Sequence, residues 1–317
     1  ERMLGWFHII HFFLYYLIVI TVFRDWRDWR NLFIVSIAAA ALVCLNSLFR
    51  IPYSTVGNTA YVSGYAIFNF YFALILFFKS REEKSSAGWL ISSLYLIAAL
   101  TMFSVLGVTH TRGAYVGLGV SFLLLFTLYI LYSHSKKLKI YSLAAIASGI
   151  ILVSLVFIYP QSGLAKIPIL NTVTQISFKG VTFQTRLISW KTAVKDFPSQ
   201  PILGTGYGNF AVTFDKYFDP KFYSYTPTET YFDRAHNNLV DIASTGGLVS
   251  LLAYLFIFMA AGYYLVKGKK QNKIFVNEFI LLVCLFTAYF IQNLAVFDSL
   301  VTYIPLMLAL GYVYWLF

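Results

Sequence analysis

Long apolar runs, separated by short polar loops, repeat along most of the chain. A run of about 20 residues is the length that a helix needs to cross the hydrocarbon core of a bilayer. Because barrel strands are about ten residues long and alternate in polarity, the continuous runs here predict helices instead. Nine spans are predicted, at approximately residues 4–23, 31–49, 60–78, 88–108, 114–132, 140–158, 239–265, 275–294 and 299–317.

The polar stretch between the sixth and seventh runs is far longer than the other loops. It divides the chain into three predicted domains: an N-terminal bundle of about six helices at 1–158, a loop at 159–238, and about three C-terminal helices at 239–317. The predicted fold class is therefore an all-α polytopic membrane protein with one large loop.

Inside this loop, residues 184–197 have the spacing of an amphipathic helix. Leu187, Trp190, Val194 and Phe197 fall on one face at helical spacing. A helix of this kind is suited to lie on a membrane surface with its apolar face in the lipid. We therefore predict that the helix at 184–197 lies on the membrane surface.

Composition supports the membrane interpretation. Charged residues make up 12% of the chain and hydrophobic residues 59%, with a mean hydropathy of +0.71, whereas soluble domains carry about 25% charged residues. The net charge of +11 does not indicate nucleic-acid binding, because no basic run is interleaved with stacking aromatic residues. Cys44 and Cys284 lie in apolar runs, where they are predicted to be small buried hydrophobic residues.

Basic residues alternate between the loops. The odd-numbered loops hold 13 of the 24 basic residues, whereas the short loops between them hold Arg50 and Arg112. The positive-inside rule therefore places the loop 159–238 outside the cytoplasm. The N-terminus is then outside as well, which we expect if an odd number of helices precedes residue 1. The basic residues of the odd loops are Arg24, Arg27, Arg30, Lys79, Arg81, Lys84, Lys136, Lys137, Lys139, Lys267, Lys269, Lys270 and Lys273.

Three arginines on the predicted outer side are candidates for binding an anionic lipid. Arg112 lies in a tight turn, Arg186 begins the helix of the loop, and Arg234 lies beside His236. The planar guanidinium pairs bidentately with phosphate, so converging arginines would hold a diphosphate. The alternative is that each arginine is a separate anchor at the membrane interface.

His236 is the candidate general base. It is predicted in the first turn of a helix that continues through Asn237, Asn238 and Asp241. The positive end of a helix favours a neutral imidazole, which accepts a proton from a hydroxyl near neutral pH. A helix-capping or interfacial histidine is the alternative. His236 and Asp241 lack a convincing metal-ligand spacing, so neither a metal nor another cofactor is expected.

The segment Pro201–Phe210 has glycines at alternate positions but lacks the spacing of a dinucleotide-binding loop. It predicts a tight turn or a close approach of two backbones. The tyrosines that follow suit either an interfacial aromatic belt or stacking on sugar rings. They are Tyr217, Tyr223, Tyr225 and Tyr231.

Four motifs in order carry a resemblance to a known family. They are Gly57-Asn58-Thr59-Ala60-Tyr61, Thr111-Arg112-Gly113-Ala114, the block 186–193 followed by 201–210, and Ala235-His236-Asn237-Asn238 followed by Gly246-Gly247-Leu248. In this arrangement the chain resembles the O-antigen ligase and O-antigen polymerase (Wzy-C) superfamily, and is most like the ligases.

The resemblance implies about twelve spans in a GT-C-like glycosyltransferase architecture, so that three helices would precede residue 1. It implies an enzyme of the bacterial inner membrane that works at the periplasmic face. The donor would be a glycan on undecaprenyl diphosphate, transferred with inversion and without a metal. The acceptor would be the lipid A core of lipopolysaccharide, another glycan or a protein.

By the same resemblance, Arg112 and Arg186 would bind the diphosphate, and His236 would activate the acceptor hydroxyl. The family commonly has an acidic residue before the glycine that follows the His-Asn element, where this chain has Ser244 and Thr245. An acidic residue one turn earlier is the expected substitute. The secondary candidates for the site are Arg234, Asn237, Asp241 and Arg50.

Other functions are compatible with parts of the pattern. A repeat-unit polymerase and a protein O-oligosaccharyltransferase share the same motifs. A transporter or flippase would show repeated halves and charges at mid-membrane, whereas the polar residues here concentrate in one loop. A structural scaffold predicts that single substitutions of Arg112, Arg186 and His236 have little effect.

Overall fold

The structure, a computed structural model, describes residues 5–82, 88–175, 177–227 and 230–317. The described residues are 79% helical and contain no strand. The helices are α1 (Trp6–Val22), α2 (Trp26–Phe49), α3 (Thr59–Glu82), α4 (Gly88–Ser104), α5 (Leu106–Thr109), α6 (Arg112–Tyr132), α7 (Lys136–Ile158), α8 (Pro168–Thr174), α9 (Val181–Asp196), α10 (Phe210–Lys216), α11 (Asn238–Lys270), α12 (Val276–Gln292) and α13 (Leu300–Leu316).

Within the described part of the chain, six helical segments are long and apolar enough to cross a membrane, and three shorter apolar helices accompany them. Together they coincide with the nine spans predicted from the pattern. The all-α polytopic membrane fold is therefore confirmed. Residue 4, where the first predicted span begins, and Lys84 of the third loop lie outside the described residues.

The chain forms two compact units. The first unit comprises Glu1–Tyr15, Ile176–Ala260 and Asn293–Asp298. The second unit comprises Tyr16–Gln175, Ala261–Gln292 and Ser299–Phe317. The three-domain division predicted from hydropathy stays a prediction.

Aromatic rings and small residues pack the helices of the second unit. Phe33 of α2 stacks on Phe72 of α3 with 4.5 Å between ring centroids, and both side chains are fully buried. Gly117 of α6 approaches α12 so closely that a Cβ on this glycine would lie 2.5 Å from the carbonyl oxygen of Ala288. Small residues permit this approach of helix backbones, which is how packing is gained between helices in lipid.

A small aromatic core organises the first unit. Phe210 and Phe214 of α10 are fully buried together with Phe222, and Phe232 is nearly so. The ring centroid of Phe214 lies 5.7 Å from that of Phe222 and 5.5 Å from that of Phe232. Ile188 of α9 packs into the same cluster. Since fully burying a phenylalanine stabilises by about 1.5–3 kcal/mol, this core fixes α9 and α10 against each other.

The predicted amphipathic helix forms as α9, and the face that it buries inside the protein is not the apolar face that was predicted to lie on the membrane. Ile188, Thr192 and Asp196 are buried, whereas Val194 is 71% exposed. Large phenylalanine side chains of the loop fill the space between the aromatic core and α9. The face of α9 that packs against them therefore carries smaller and more polar residues. Trp190, predicted on the lipid-facing side, instead packs against the aromatic core.

The predicted span 239–265 is not one continuous helix. α11 is interrupted at Gly247, whose φ of 65° and ψ of −167° are not helical. Glycine adopts a positive φ at no steric cost. A short segment before this residue and a long apolar segment after it therefore take different directions.

The glycine-rich loop after α9 replaces the hydrogen bonds that the interruption removes from α11. A Cβ on Gly247 would lie 2.3 Å from the carbonyl oxygen of Ile202, and a Cβ on Gly204 would lie 2.5 Å from the carbonyl carbon of Thr245. The predicted close approach of two backbones is confirmed. The amide-to-carbonyl bonds join Thr205 to Ser244, Gly206 to Thr245, Leu248 to Pro201 and Val249 to Ile202, at 2.8–3.3 Å.

Candidate active site

His236 lies just before α11 rather than in its first turn, because the helix begins at Asn238. Its φ of 53° is in the left-handed region, which non-glycine residues seldom adopt. Its Nδ1 lies 3.1 Å from the carbonyl oxygen of Arg234. A carbonyl oxygen only accepts hydrogen bonds, so Nδ1 carries the proton and Nε2 is the basic nitrogen of the neutral ring.

Two phenylalanines fix the plane of the imidazole. The ring centroid of His236 lies 4.8 Å from that of Phe232 and 5.3 Å from that of Phe297, which meets it edge to face. Phe232 belongs to the aromatic core, so the position of the imidazole is coupled to the fold of the loop. The side chain of His236 is half-buried.

Asn237 caps α11. Its Oδ1 accepts hydrogen bonds from the amides of Leu239 and Val240 at 3.0 and 3.3 Å. A side-chain oxygen in this position satisfies amide groups that have no partner inside the helix. The structure thus gives this secondary candidate a capping contact.

Arg234 and Asp241, both secondary candidates for the site, are bonded to each other. The Nε of Arg234 donates a 2.9 Å hydrogen bond to Oδ2 of Asp241, and Nη2 lies 2.8 Å from the same oxygen. The other carboxylate oxygen accepts from the amide of Ala235 at 3.0 Å. Both ionic side chains are buried. The first turn of α11 therefore holds the backbone immediately before His236.

Aromatic rings enclose the guanidinium of Arg234. Its Cζ lies 4.5 Å from the ring centroid of Phe297 and 5.5 Å from that of Tyr207. Tyr207 comes from the glycine-rich loop, so that loop supports both the interruption of α11 and the arginine beside the candidate base. A cation over a ring face is attracted by the ring quadrupole, and more strongly where water is excluded.

A buried amide and carboxylate network ties the start of α11 to residues 293–298. Oδ2 of Asp298 accepts a 2.6 Å hydrogen bond from Asn238, and Oδ1 accepts a 2.8 Å bond from Asn293. The amide of Asn238 also donates to the carbonyl of Asn293 at 2.8 Å. This network places Phe297 beside His236. This network was not predicted from the sequence, although a polar cluster between two apolar runs, at residues 292–298, indicates it.

Arg186 lies on the face of α9 that leads to His236. It is one turn before Trp190, and residues four apart share a helix face. Nε1 of Trp190 donates a 2.8 Å hydrogen bond to the carbonyl of Ala235, the residue next to His236. The first unit therefore brings together the two segments that carry Arg186 and His236.

Arg112 and Arg50 belong to the second unit. Arg112 is exposed and is the first residue of α6. His110, two residues before Arg112, has a φ of 47°. The Nδ1 atom of His110 lies 3.1 Å from Oγ1 of Thr172. Arg50 is the C-cap of α2, and its amide donates to the carbonyl of Asn46.

The described residues contain no group of three or more histidine, cysteine, aspartate or glutamate side chains that could hold a metal ion. Cys44 and Cys284 are both buried, as predicted, and neither forms a disulfide.

Comparison with known proteins gives one family. A family model described as Wzy_C, O-antigen ligase, matches residues 97–255, which is half of the chain. The matched range includes Arg112, Arg186 and His236. No curated protein matches the chain.

Proposed function

The chain belongs to the O-antigen ligase family, and on that premise we propose that it transfers a glycan from undecaprenyl diphosphate to an acceptor hydroxyl. The family makes the protein an integral membrane enzyme of the ligase and polymerase type, with glycan donor and acceptor substrates. The donor, the acceptor and the residue roles below are our proposal.

The hydrogen bond from Nδ1 of His236 to the Arg234 carbonyl is the observation that carries the mechanism. It makes Nε2 the basic nitrogen, and we assign to Nε2 the removal of the acceptor hydroxyl proton. The acceptor oxygen then forms a bond to the anomeric carbon of the donor sugar. The bond from that carbon to the diphosphate oxygen breaks, and its electron pair leaves with the diphosphate, so the configuration inverts.

The leaving diphosphate gains negative charge as this bond breaks. An arginine that contacts it stabilises the transition state more than the ground state, which is what accelerates the reaction. Arg186 is assigned this role because α9 bonds to the segment of His236 through Trp190. Arg112 is assigned the same role from its Thr-Arg-Gly motif. Neither assignment requires a metal ion.

We place the reaction at the periplasmic face of the bacterial inner membrane. The support is the concentration of basic residues in the odd loops, which orients the loop 159–238 outward. We propose ligation to the lipid A core over polymerisation or protein glycosylation, because the single set of Arg112, Arg186 and His236 suits a ligase. Offering the protein the three kinds of acceptor separates these activities.

The test combines purified protein with an undecaprenyl-diphosphate glycan and three acceptors: lipid A core, a second lipid-linked repeat unit and a serine-containing peptide. Products are separated by mass. His236→Gly is the sharpest variant, because glycine adopts the φ of 53° at this position without strain. We expect its transfer rate to fall by about 10²–10⁴-fold, and added imidazole to restore part of it.

Arg186→Ala is expected to abolish transfer as well, while Lys195→Ala serves as its control. Lys195 is an exposed basic residue of the same helix, outside the assigned site. Full activity of both His236→Gly and Arg186→Ala would overturn the mechanism. Accumulation of a solute with no change in any lipid-linked glycan would favour transport instead.

A further inference from the structure

An aromatic track runs along one side of α9. It consists of Phe178, Phe183 and Trp190, with Arg186 between the last two. Phe183, Arg186 and Trp190 are spaced three and four residues apart, so they share one helix face. Phe178 meets Phe183 edge to face at 5.1 Å between ring centroids, and Phe183 meets Trp190 edge to face at 5.9 Å.

The track leads from an exposed end to the candidate base. Phe178 is 75% exposed, whereas the side chains of Phe183 and Trp190 are half-buried. At the inner end, the indole of Trp190 bonds to the Ala235 carbonyl next to His236. A molecule lying on the track would therefore pass Arg186 before it reaches His236.

Polar groups border the track at its exposed end. Nε2 of Gln184 donates a 2.6 Å hydrogen bond to the carbonyl of Phe178, and its Oε1 accepts a 3.4 Å bond from the hydroxyl of Tyr225. The rings are thus flanked by an amide, a phenol hydroxyl and a guanidinium. This mixture matches a pyranose ring, which has an apolar C–H face for stacking and hydroxyl groups around its edge.

A lipid surface is a poorer match for the track. The same unit has a separate apolar patch around the interruption of α11, where exposed aliphatic side chains from two backbone segments lie together. Lipid contact favours such a continuous apolar surface. The patch consists of Ile202, Leu203, Leu248 and Val249, which are 63%, 73%, 47% and 54% exposed.

We propose that the aromatic track binds the first sugar residues of the donor glycan, with the attached diphosphate at Arg186. The proposal rests on the proposed function, since it assumes a diphosphate-linked donor. Charge complementarity sets the register: the diphosphate pairs with Arg186, and the sugars, which are attached to one end of the diphosphate, extend from it along Phe183 and Phe178. Stacking depends little on the identity of the sugar, so the track suits glycans of varied composition.

The experiment measures binding of two kinds of lipid to the purified full chain by native mass spectrometry. One is bare undecaprenyl diphosphate, and the other carries glucose, galactose or N-acetylglucosamine. We expect wild-type protein to bind at least one sugar-bearing lipid more tightly than the bare lipid. Phe178→Ala should reduce this advantage by about twofold to tenfold, the range of a single ring contact, and should leave binding of the bare lipid unchanged.

Two further variants make the result specific. Phe178→Ala combined with Phe183→Leu should remove the advantage, whereas Val212→Ala, at an exposed apolar residue of α10 outside the track, should preserve it. Wild-type protein that binds bare and sugar-bearing lipids equally would overturn the proposal. So would Phe178→Ala protein that loses both kinds of lipid equally, because that pattern indicates contact with the polyprenyl chain.

The outcome also separates this proposal from the proposed function. Two results would refute the assignment of the diphosphate to Arg186: wild-type protein that binds neither lipid, or Arg186→Ala protein that binds bare undecaprenyl diphosphate as well as wild-type protein does. Either result would also refute the proposal that the track binds the donor sugars. If the bare lipid binds through Arg186 but the sugar gives no advantage, the track alone is refuted.

Discussion

The first unit holds two ion pairs of the same length, one buried at both ends and the other open to solvent at its lysine. Nη2 of Arg234 lies 2.8 Å from Asp241, and Nζ of Lys216 lies 2.8 Å from Asp196. The side chains of the first pair are 4% and 0% exposed. In the second pair the lysine is 53% exposed and the aspartate 4%.

The two pairs differ in burial and not in the distance between their charged atoms. Removing one partner of a buried pair leaves a charge without compensation in a medium of low dielectric constant, which costs about 3–5 kcal/mol. A pair that faces water is screened and contributes little. Because the buried pair adjoins His236, the geometry of the candidate base depends on the stability of the fold at this point.

The largest expected effect comes from removing the buried cation. Arg234→Met leaves the carboxylate of Asp241 buried without its partner, so we expect the free energy of unfolding to fall by about 3–5 kcal/mol. Thermal unfolding of the purified protein, followed by circular dichroism, measures the loss. A melting temperature equal to that of wild-type protein would contradict the comparison between the pairs.

The double variant Arg234→Met with Asp241→Leu is the matched control. It removes both charges together, and apolar replacement of a whole buried pair is often neutral for stability. We expect most of the lost stability to return. Transfer activity should stay low, because the hydrogen bond from the Ala235 amide to Asp241 is lost as well.

The spans were predictable because a bilayer imposes one length and one polarity on each helix. The interruption at Gly247 was not, since hydropathy averages over a glycine within an apolar run. The interruption of α11 depends on hydrogen bonds between the loop 201–206 and residues 244–249. Those partners are about 40 residues apart in the chain, and their pairing depends on tertiary structure.

The candidate site was predictable where a motif names a residue, as for His236 and Arg186. The pairing of Arg234 with Asp241 was not predictable, because it depends on the chain turning back onto the first turn of α11. Asp298 was missed for a similar reason, since its partner Asn238 lies 60 positions away. The buried face of α9 also follows from the phenylalanines of its partners, not from its own spacing.

A smaller effect is expected from the glycine-rich loop that carries Tyr207 to the buried arginine. Gly204→Ala forces a side chain into a φ of 65°, which costs about 1–2 kcal/mol. The overlap of its Cβ with the backbone at Thr245 adds about 1–3 kcal/mol. The decrease in melting temperature measures the sum. Gly262→Ala is the control, because a Cβ there meets nothing within 4 Å.

The smallest effect is expected at the exposed pair, and it should depend on pH. Burial alone raises the pKa of Asp196, but hydrogen bonds from Lys216, Thr213 and Ser199 outweigh it and hold the pKa below its ordinary value. The stabilisation is therefore complete above the ordinary aspartate pKa near 4 and is lost as the pH falls through the lowered value.

Hydrogen exchange of the α10 amides, corrected for intrinsic rates, measures this loss between pH 6 and the acid limit of folding. We expect protection in wild-type protein to decline only at the acid end of that range. Asp196→Asn should start with weaker protection and lack the decline, because its side chain does not titrate. Wild-type protection that stays constant to the acid limit of folding, or that declines equally in Asp196→Asn, would show that Asp196 has no lowered pKa and that this pair contributes nothing to holding α10 on α9.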